Sequence, residues 1–139
     1  MTVLDASVVI DGLASPRSQA IDHLIRGQTV RIATVNVAEV VDVLMRRLGV
    51  EEADVIDRID LLRQAGLMME PLSARRALDA GSLRARRYDK QTAAVSLADC
   101  VAIALAAEVG EPVASFDQAL LAVAVAEGVP VVELTSFRS

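Results

Sequence analysis

A chain of 139 residues, 53 % hydrophobic and 24 % charged, is long enough for one compact domain, expected over 1–139, and too apolar for a disordered segment. Aromatic residues make up only 2 %, so aliphatic side chains fill the core and aromatic base-stacking platforms are disfavoured; the net charge of −5 argues against an all-round basic surface for nucleic acid. Cys100 is the only cysteine, which excludes an internal disulfide framework and a paired-cysteine zinc or redox site.

The N-terminus reads Met1-Thr2-Val3-Leu4-Asp5, with no basic region ahead of an apolar stretch, so no signal peptide is expected. The longest apolar runs, 100–107 and 119–126, fall well short of the ~20 residues of a membrane span, and the expected compartment is a reducing cytoplasm. Residues 2–4 form the first predicted strand, closed by Asp5. Ser15-Pro16 supplies a cap and a first-turn proline for a helix to about Arg26, stopped by Gly27. A second strand covers 30–33. Asn36 then caps a helix reaching Leu48, with Val37, Val40, Val41, Leu44 and Leu48 on one stripe.

Glu51, Glu52 and Asp54 load the first turn of the following helix, whose apolar face is Val55, Ile56, Ile59 and Leu62, and Gly66 ends it. After a strand over 67–69, Ser73 opens a helix to about Arg87 and 88–95 reads as a loop. Ser96 caps the most apolar helix, 97–109, ended by Gly110 and Pro112. A strand over 113–115, a helix over 118–127 and a last strand over 129–132 complete the chain. Strands alternating with helices imply a parallel sheet covered on both faces. Right-handed crossovers gather helix N-termini at the carboxyl edge of that sheet, where ligands bind in open α/β folds.

Four acids fall at that edge: Asp5 and Asp117 end strands, and Glu39 and Asp99 lie where helices begin. Each has a purely structural explanation. Asn36-x-x-Glu39 and Ser96-x-x-Asp99 match capping-box spacing, Asp5 could bond neighbouring amides, and Asp117 could cap the helix after it. Convergence is what favours function, because four anions in one cleft repel one another unless a cation holds them, and Mg²⁺ or Mn²⁺ suits such oxygen ligands. Ser7 and Ser115 lie close enough in sequence to orient water or a ligand there. His23 has no partner at metal-ligand spacing, and Cys100 reads as a core thiol. Arg75, Arg76, Arg84, Arg86, Arg87 and Lys90 outnumber Asp79 and Asp89 in one stretch, either a solvated helix face or a phosphate-contacting surface, for which Arg84, Arg86 and Arg87 are the candidates.

Taken in order, Val3-Leu4-Asp5-Ala6-Ser7-Val8-Val9-Ile10, Val37-Ala38-Glu39-Val40, Leu97-Ala98-Asp99-Cys100 and Ser115-Phe116-Asp117-Gln118-Ala119-Leu120 resemble the motifs of PIN-domain nucleases, and the small size resembles the VapC-type toxins of toxin–antitoxin pairs. The likeness covers nearly the whole chain. It implies a three-layer α/β/α PIN-like domain with a parallel sheet of order 3-2-1-4-5, and an acidic tetrad at Asp5, Glu39, Asp99 and Asp117 with hydroxyl positions at Ser7 and Ser115. The last motif often carries threonine where this chain has Ser115, which keeps a hydroxyl in place. It further implies a Mg²⁺- or Mn²⁺-dependent endoribonuclease, a homodimer, and inhibition by a cognate VapB-type antitoxin. Bound divalent ions would neutralise phosphate oxygens and activate water for in-line attack. Two other classes fit the same sheet edge. A phosphoaspartate receiver usually carries a late lysine, whereas the sole lysine is Lys90 in a loop; a catalytically silent PIN-like binding module would have kept the acids without the cleavage.

Overall fold

The computed structural model describes residues 1–15 and 19–134. Five apolar or β-branched runs form strands: β1 (Thr2–Leu4), β2 (Val30–Ala33), β3 (Leu67–Glu70), β4 (Val113–Ser115) and β5 (Val131–Glu133). All are parallel, in the order β3-β2-β1-β4-β5. Parallel neighbours need crossover connections, and helices supply them. α1 (Ala6–Ala14) and α2 (Ala20–Ile25) lie between β1 and β2; α3 (Thr34–Asp42), a π-helical turn (Val43–Arg47) and α4 (Glu52–Ala65) lie between β2 and β3. α5 (Ala74–Arg87) and α6 (Leu97–Val109) lead to β4, and α7 (Gln118–Ala126) to β5.

Register divides the core. Val3 pairs with Arg31 and Val113, and Leu4 with Ile32 and Ala114. Because successive strand residues face opposite sides, Val3 and Val113 pack with Leu83, Ile103, Leu105, Leu120 and Val123 of α5, α6 and α7. Leu4, Ile32 and Ala114 pack with Val8, Val9, Leu24, Val40 and Ile59 of α1 to α4. The result is the expected three-layer α/β/α sandwich. Its strand order differs from the 2-1-3-4-5 of flavodoxin-like receivers, and the progression of that order, not strand direction, reverses between β1 and β4.

Several local expectations are corrected. Ala6–Ala14 is helical although no helix is predicted there, and Ser15 closes α1, its N–H bonding the Asp11 carbonyl at 3.0 Å. The proline of the predicted Ser15-Pro16 start lies outside the described residues. α3 begins at Thr34, directly after β2, so Asn36 is a buried residue inside the helix and cannot cap it. Glu39 is therefore released from the expected capping box. The π turn widens the end of that helix by one residue per turn, and Leu48, expected on the apolar stripe, is 52 % exposed. Ile56 of α4 is likewise exposed. The last strand starts at Val131, two residues later than expected, since Pro130 has no N–H to give a ladder. Caps at Ser73, Ser96 and Asp117 and the stops at Gly66 and Gly110 fall where the sequence puts them.

Candidate functional site

Asp5 follows β1 and Asp117 follows β4, the two strands that flank the reversal of strand order. Glu39 comes from α3 and Asp99 from the first turn of α6. All four carboxylates line one pocket of ≈ 460 Å³, with Ser7, Asp11 and Arg47 on its wall. Segments remote in sequence thus deliver four acids to one place at the carboxyl edge of the sheet.

Asp5 is only 3 % exposed and is fixed on both oxygens. Ser7 Oγ donates to Oδ1 at 2.7 Å and Ser115 Oγ donates to Oδ2 at 2.7 Å. Each hydroxyl is oriented by a backbone donor, because Ser7 Oγ accepts the Phe116 N–H at 3.1 Å and Ser115 Oγ accepts the Asp117 N–H at 2.9 Å. The junction of β1 with α1 is thereby stitched to that of β4 with α7. Burial pushes the Asp5 carboxyl up to about 6; the two serine bonds oppose that shift and the charge of Asp99 adds to it.

The other acids combine anchoring with availability. Asp99 Oδ2 accepts the Ser96 N–H at 2.9 Å while Ser96 Oγ accepts the Asp99 N–H at 3.0 Å, a complete capping box that involves one carboxylate oxygen. Asp117 Oδ1 accepts the N–H groups of Ala119 and Leu120 at 2.9 and 3.3 Å, leaving Oδ2 outside the cap. Capping and ligation therefore do not compete. Glu39 Oε1 is buried without a hydrogen bond, the kind of orphaned polar atom that a ligand satisfies. Burial raises its proton affinity and the charges of Asp99 and Asp117 raise it further, against an opposing interaction with Asn36; burial does the same for Asp99, with Asp117 adding and the Ser96 bonds opposing. A donor set made wholly of carboxylate and hydroxyl oxygens fits a hard divalent cation. As they stand, no three acidic, histidine or cysteine side chains among the described residues are grouped tightly enough to grip one ion, so capture calls for side-chain closure.

The sequence matches the PIN domain family over residues 2–126. The chain belongs to the PIN-domain family. No curated protein matches it by sequence. Solved structures similar to this PIN domain include Mycobacterium tuberculosis VapC20, described as a sarcin-ricin loop cleaving toxin, at 17 % identity and TM-score 0.70, covering 88 % of this chain and 94 % of that one. VapBC2 from Rickettsia felis, bound to a DNA fragment from its promoter, gives 11 % identity and TM-score 0.72, covering 95 % and 97 %. A toxin–antitoxin complex from Klebsiella pneumoniae gives 18 % identity and TM-score 0.69, covering 100 % of both chains. At these identities the likeness is one of fold.

Other residues singled out in the sequence lie away from the pocket of the PIN domain. Arg84 donates to the Val95 carbonyl at 2.9 Å and lies over the Tyr88 ring, 4.4 Å from its centroid. Arg86 and Arg87 both pair with Glu127, at 3.2 and 2.7 Å, and Arg86 lines a different groove, of ≈ 520 Å³, between α5 and α6. Cys100 is buried, and burial pushes its thiol up to about 11, as for an inert core residue. His23 is exposed on α2. Asn36, read from sequence as a helix cap, instead donates its Nδ2 to the Ala98 carbonyl at 3.1 Å and ties α3 to the start of α6, while Asp11 and Arg47 on the pocket wall have no counterpart in the sequence reading. No helix among the described residues is long and apolar enough to cross a membrane.

Proposed function

We propose that this PIN domain, a single domain over 1–139, is a Mg²⁺- or Mn²⁺-dependent endoribonuclease of the VapC toxin type, acting in the cytoplasm as a homodimer and restrained by a cognate VapB-type antitoxin. The observation that carries the reading is the convergence of Asp5, Glu39, Asp99 and Asp117 on one pocket at the sheet edge, where the charge of Asp99 raises the proton affinity of Asp5 and Glu39 and that of Asp117 raises Glu39 and Asp99. Such a cluster of like charges is useful when a cation neutralises it. A bound divalent ion would supply charge neutralisation at a phosphate and a more acidic water.

The residues divide the remaining work. Asp5, locked by Ser7 and Ser115, is the fixed ligand, and Asp99 and Asp117 offer the oxygens that their helix caps leave over. Glu39, with its unbonded buried oxygen, is suited to complete the ligand set or to take a proton from the attacking water. Arg84, Arg86 and Arg87 would serve as outlying RNA contacts only after leaving their present partners. The antitoxin is supported by structural neighbours that are toxin–antitoxin complexes, including those from R. felis and K. pneumoniae. Purified protein should cleave members of an RNA panel with Mg²⁺ or Mn²⁺ and not with chelator, and Asp5→Asn and Asp99→Asn should abolish cleavage while binding less Mn²⁺ by titration calorimetry. Undiminished cleavage by both variants rejects the assignment; no cleavage by the parent under either ion favours a silent binding module.

A further inference from the structure

Among the described residues, the carboxylate pocket has one cation on its wall, Arg47. Among the described arginines, Arg31, Arg46, Arg63, Arg75, Arg76, Arg86 and Arg87 are ion-paired. Arg58 and Arg84 are bonded to main-chain carbonyls. Among the described residues Arg47 makes no hydrogen bond or ion pair, although Asp42 of the preceding turn lies within electrostatic reach. Asp42 is already gripped by Arg46 through Nε at 3.0 Å and Nη2 at 2.9 Å, which leaves the neighbouring guanidinium uncommitted.

Helix geometry accounts for where Arg47 points. Glu39, Val43 and Arg47 all line the pocket, at spacings of four residues. On a regular α-helix a row of that spacing drifts by about 40° every four residues and would carry Arg47 well round from Glu39. The wider turn over Val43–Arg47, closing i→i+5, reverses that drift and returns Arg47 to the Glu39 face. π turns of this kind are frequent at functional sites.

We propose that Arg47 is the phosphate contact of this pocket, binding a phosphate of the RNA strand beside the one that is cleaved. The proposal rests on the nuclease reading above. Its physical ground is the mismatch between a pocket lined by carboxylates and a polyanionic substrate: a divalent ion can balance part of that charge, and a free guanidinium at the wall offers a planar, bidentate partner for phosphate oxygens. An arginine held in an ion pair would first have to break it.

The test compares the full-length protein with Arg47→Ala, Arg47→Lys and Arg26→Ala, the last removing an exposed arginine that lines a separate surface pocket with Asp22 and His23. Binding of a fluorescein-labelled single-stranded RNA is followed by anisotropy in Ca²⁺ across a KCl series, and cleavage in Mn²⁺ is resolved into kcat and KM. Arg47→Ala should weaken binding about tenfold, as expected for one lost charge-assisted hydrogen bond, and should lower the slope of log Kd against log salt by about 0.7. It should raise KM more than it lowers kcat, with no change in melting temperature. Arg47→Lys should restore the salt slope and part of the affinity, and Arg26→Ala should match the parent. Parent-like affinity and slope in Arg47→Ala, or a slope not restored by lysine, overturns the assignment. Arg47-dependent RNA binding with no cleavage under any divalent ion overturns the nuclease reading alone, and a parent protein that binds no RNA overturns both.

Discussion

At Asp5, burial outweighs two short hydrogen bonds, and its pKa stands at about 6 against an ordinary 3.8. A raised carboxyl means that the native state holds a proton which the unfolded chain releases between those two values. In chelator, its contribution to stability is complete below about pH 4, falls as pH rises through 6, and is absent above. At 1.36 kcal/mol per unit, that contribution is about 3 kcal/mol. Asp5→Asn keeps the shape and has no charge to bury, so in urea denaturation it should be more stable than the parent at pH 7 by up to about 3 kcal/mol, with the gap closing towards pH 4; equal stabilities at pH 7 would contradict the burial argument. Cation affinity should run the opposite way, rising with pH up to about 6 and then levelling, because the ion displaces the same proton. Ser115, with 0 % exposure, is held between the Asp5 carboxylate and the Asp117 N–H. Ser115→Ala strands both groups and should cost about 1–3 kcal/mol in the same assay, with a further rise in the Asp5 titration measured by NMR.

The helices show where local chemistry and packing part company. α1 was not legible because Val8-Val9-Ile10 and Gly12 are weak helix formers; burial of Val8 and Val9 against the sheet overrides their propensity. Gly12 illustrates the same point in reverse. Alanine in a helix interior ordinarily gains up to about 1 kcal/mol over glycine, yet a Cβ at position 12 would lie 2.5 Å from Ile21 Cγ2 and 3.3 Å from Ile21 Cβ, branch atoms that cannot swing aside. Gly12→Ala should therefore destabilise the protein, by about 1–3 kcal/mol of overpacking strain, and a stabilised variant in thermal denaturation would show that α1 and α2 separate easily. Strands, by contrast, were readable to within a residue or two, since short apolar runs between polar or glycine breaks leave little choice of boundary. Cap residues Ser73, Ser96 and Asp117 were readable for the same reason, as their side chains act within three residues of themselves. Asn36 failed that rule because its partner, the Ala98 carbonyl, comes from another helix and claims the side chain for tertiary contact.

Over the whole molecule, the four acids were legible and their cationic neighbour was not. Strand ends and first helical turns are fixed by local pattern and by right-handed crossovers, so Asp5, Glu39, Asp99 and Asp117 could be assigned to one edge from sequence. Arg47 reaches that edge only through a π turn, and Arg86 and Arg87 are drawn off by Glu127, some forty residues later in the chain; neither event has a local signature. The fold therefore carries an electrostatic load at the edge where β1, β4, α3 and α6 meet, and a cation that relieves it must stabilise the entire chain, because the acids belong to four separate segments. By mass action, Mn²⁺ at a hundred times its dissociation constant should add about 2.7 kcal/mol to unfolding at pH 7. The corresponding rise in melting temperature should shrink at pH 5, where Asp5 retains its proton, and should be reduced in Asp5→Asn and Asp99→Asn, which each remove a charge from the pocket. The exposed acids of α4 give a control: Glu52→Gln alters net charge equally but lies on another element, so its Mn²⁺ shift should equal the parent's. A shift of the same size in all these proteins would place the ion somewhere other than the tetrad.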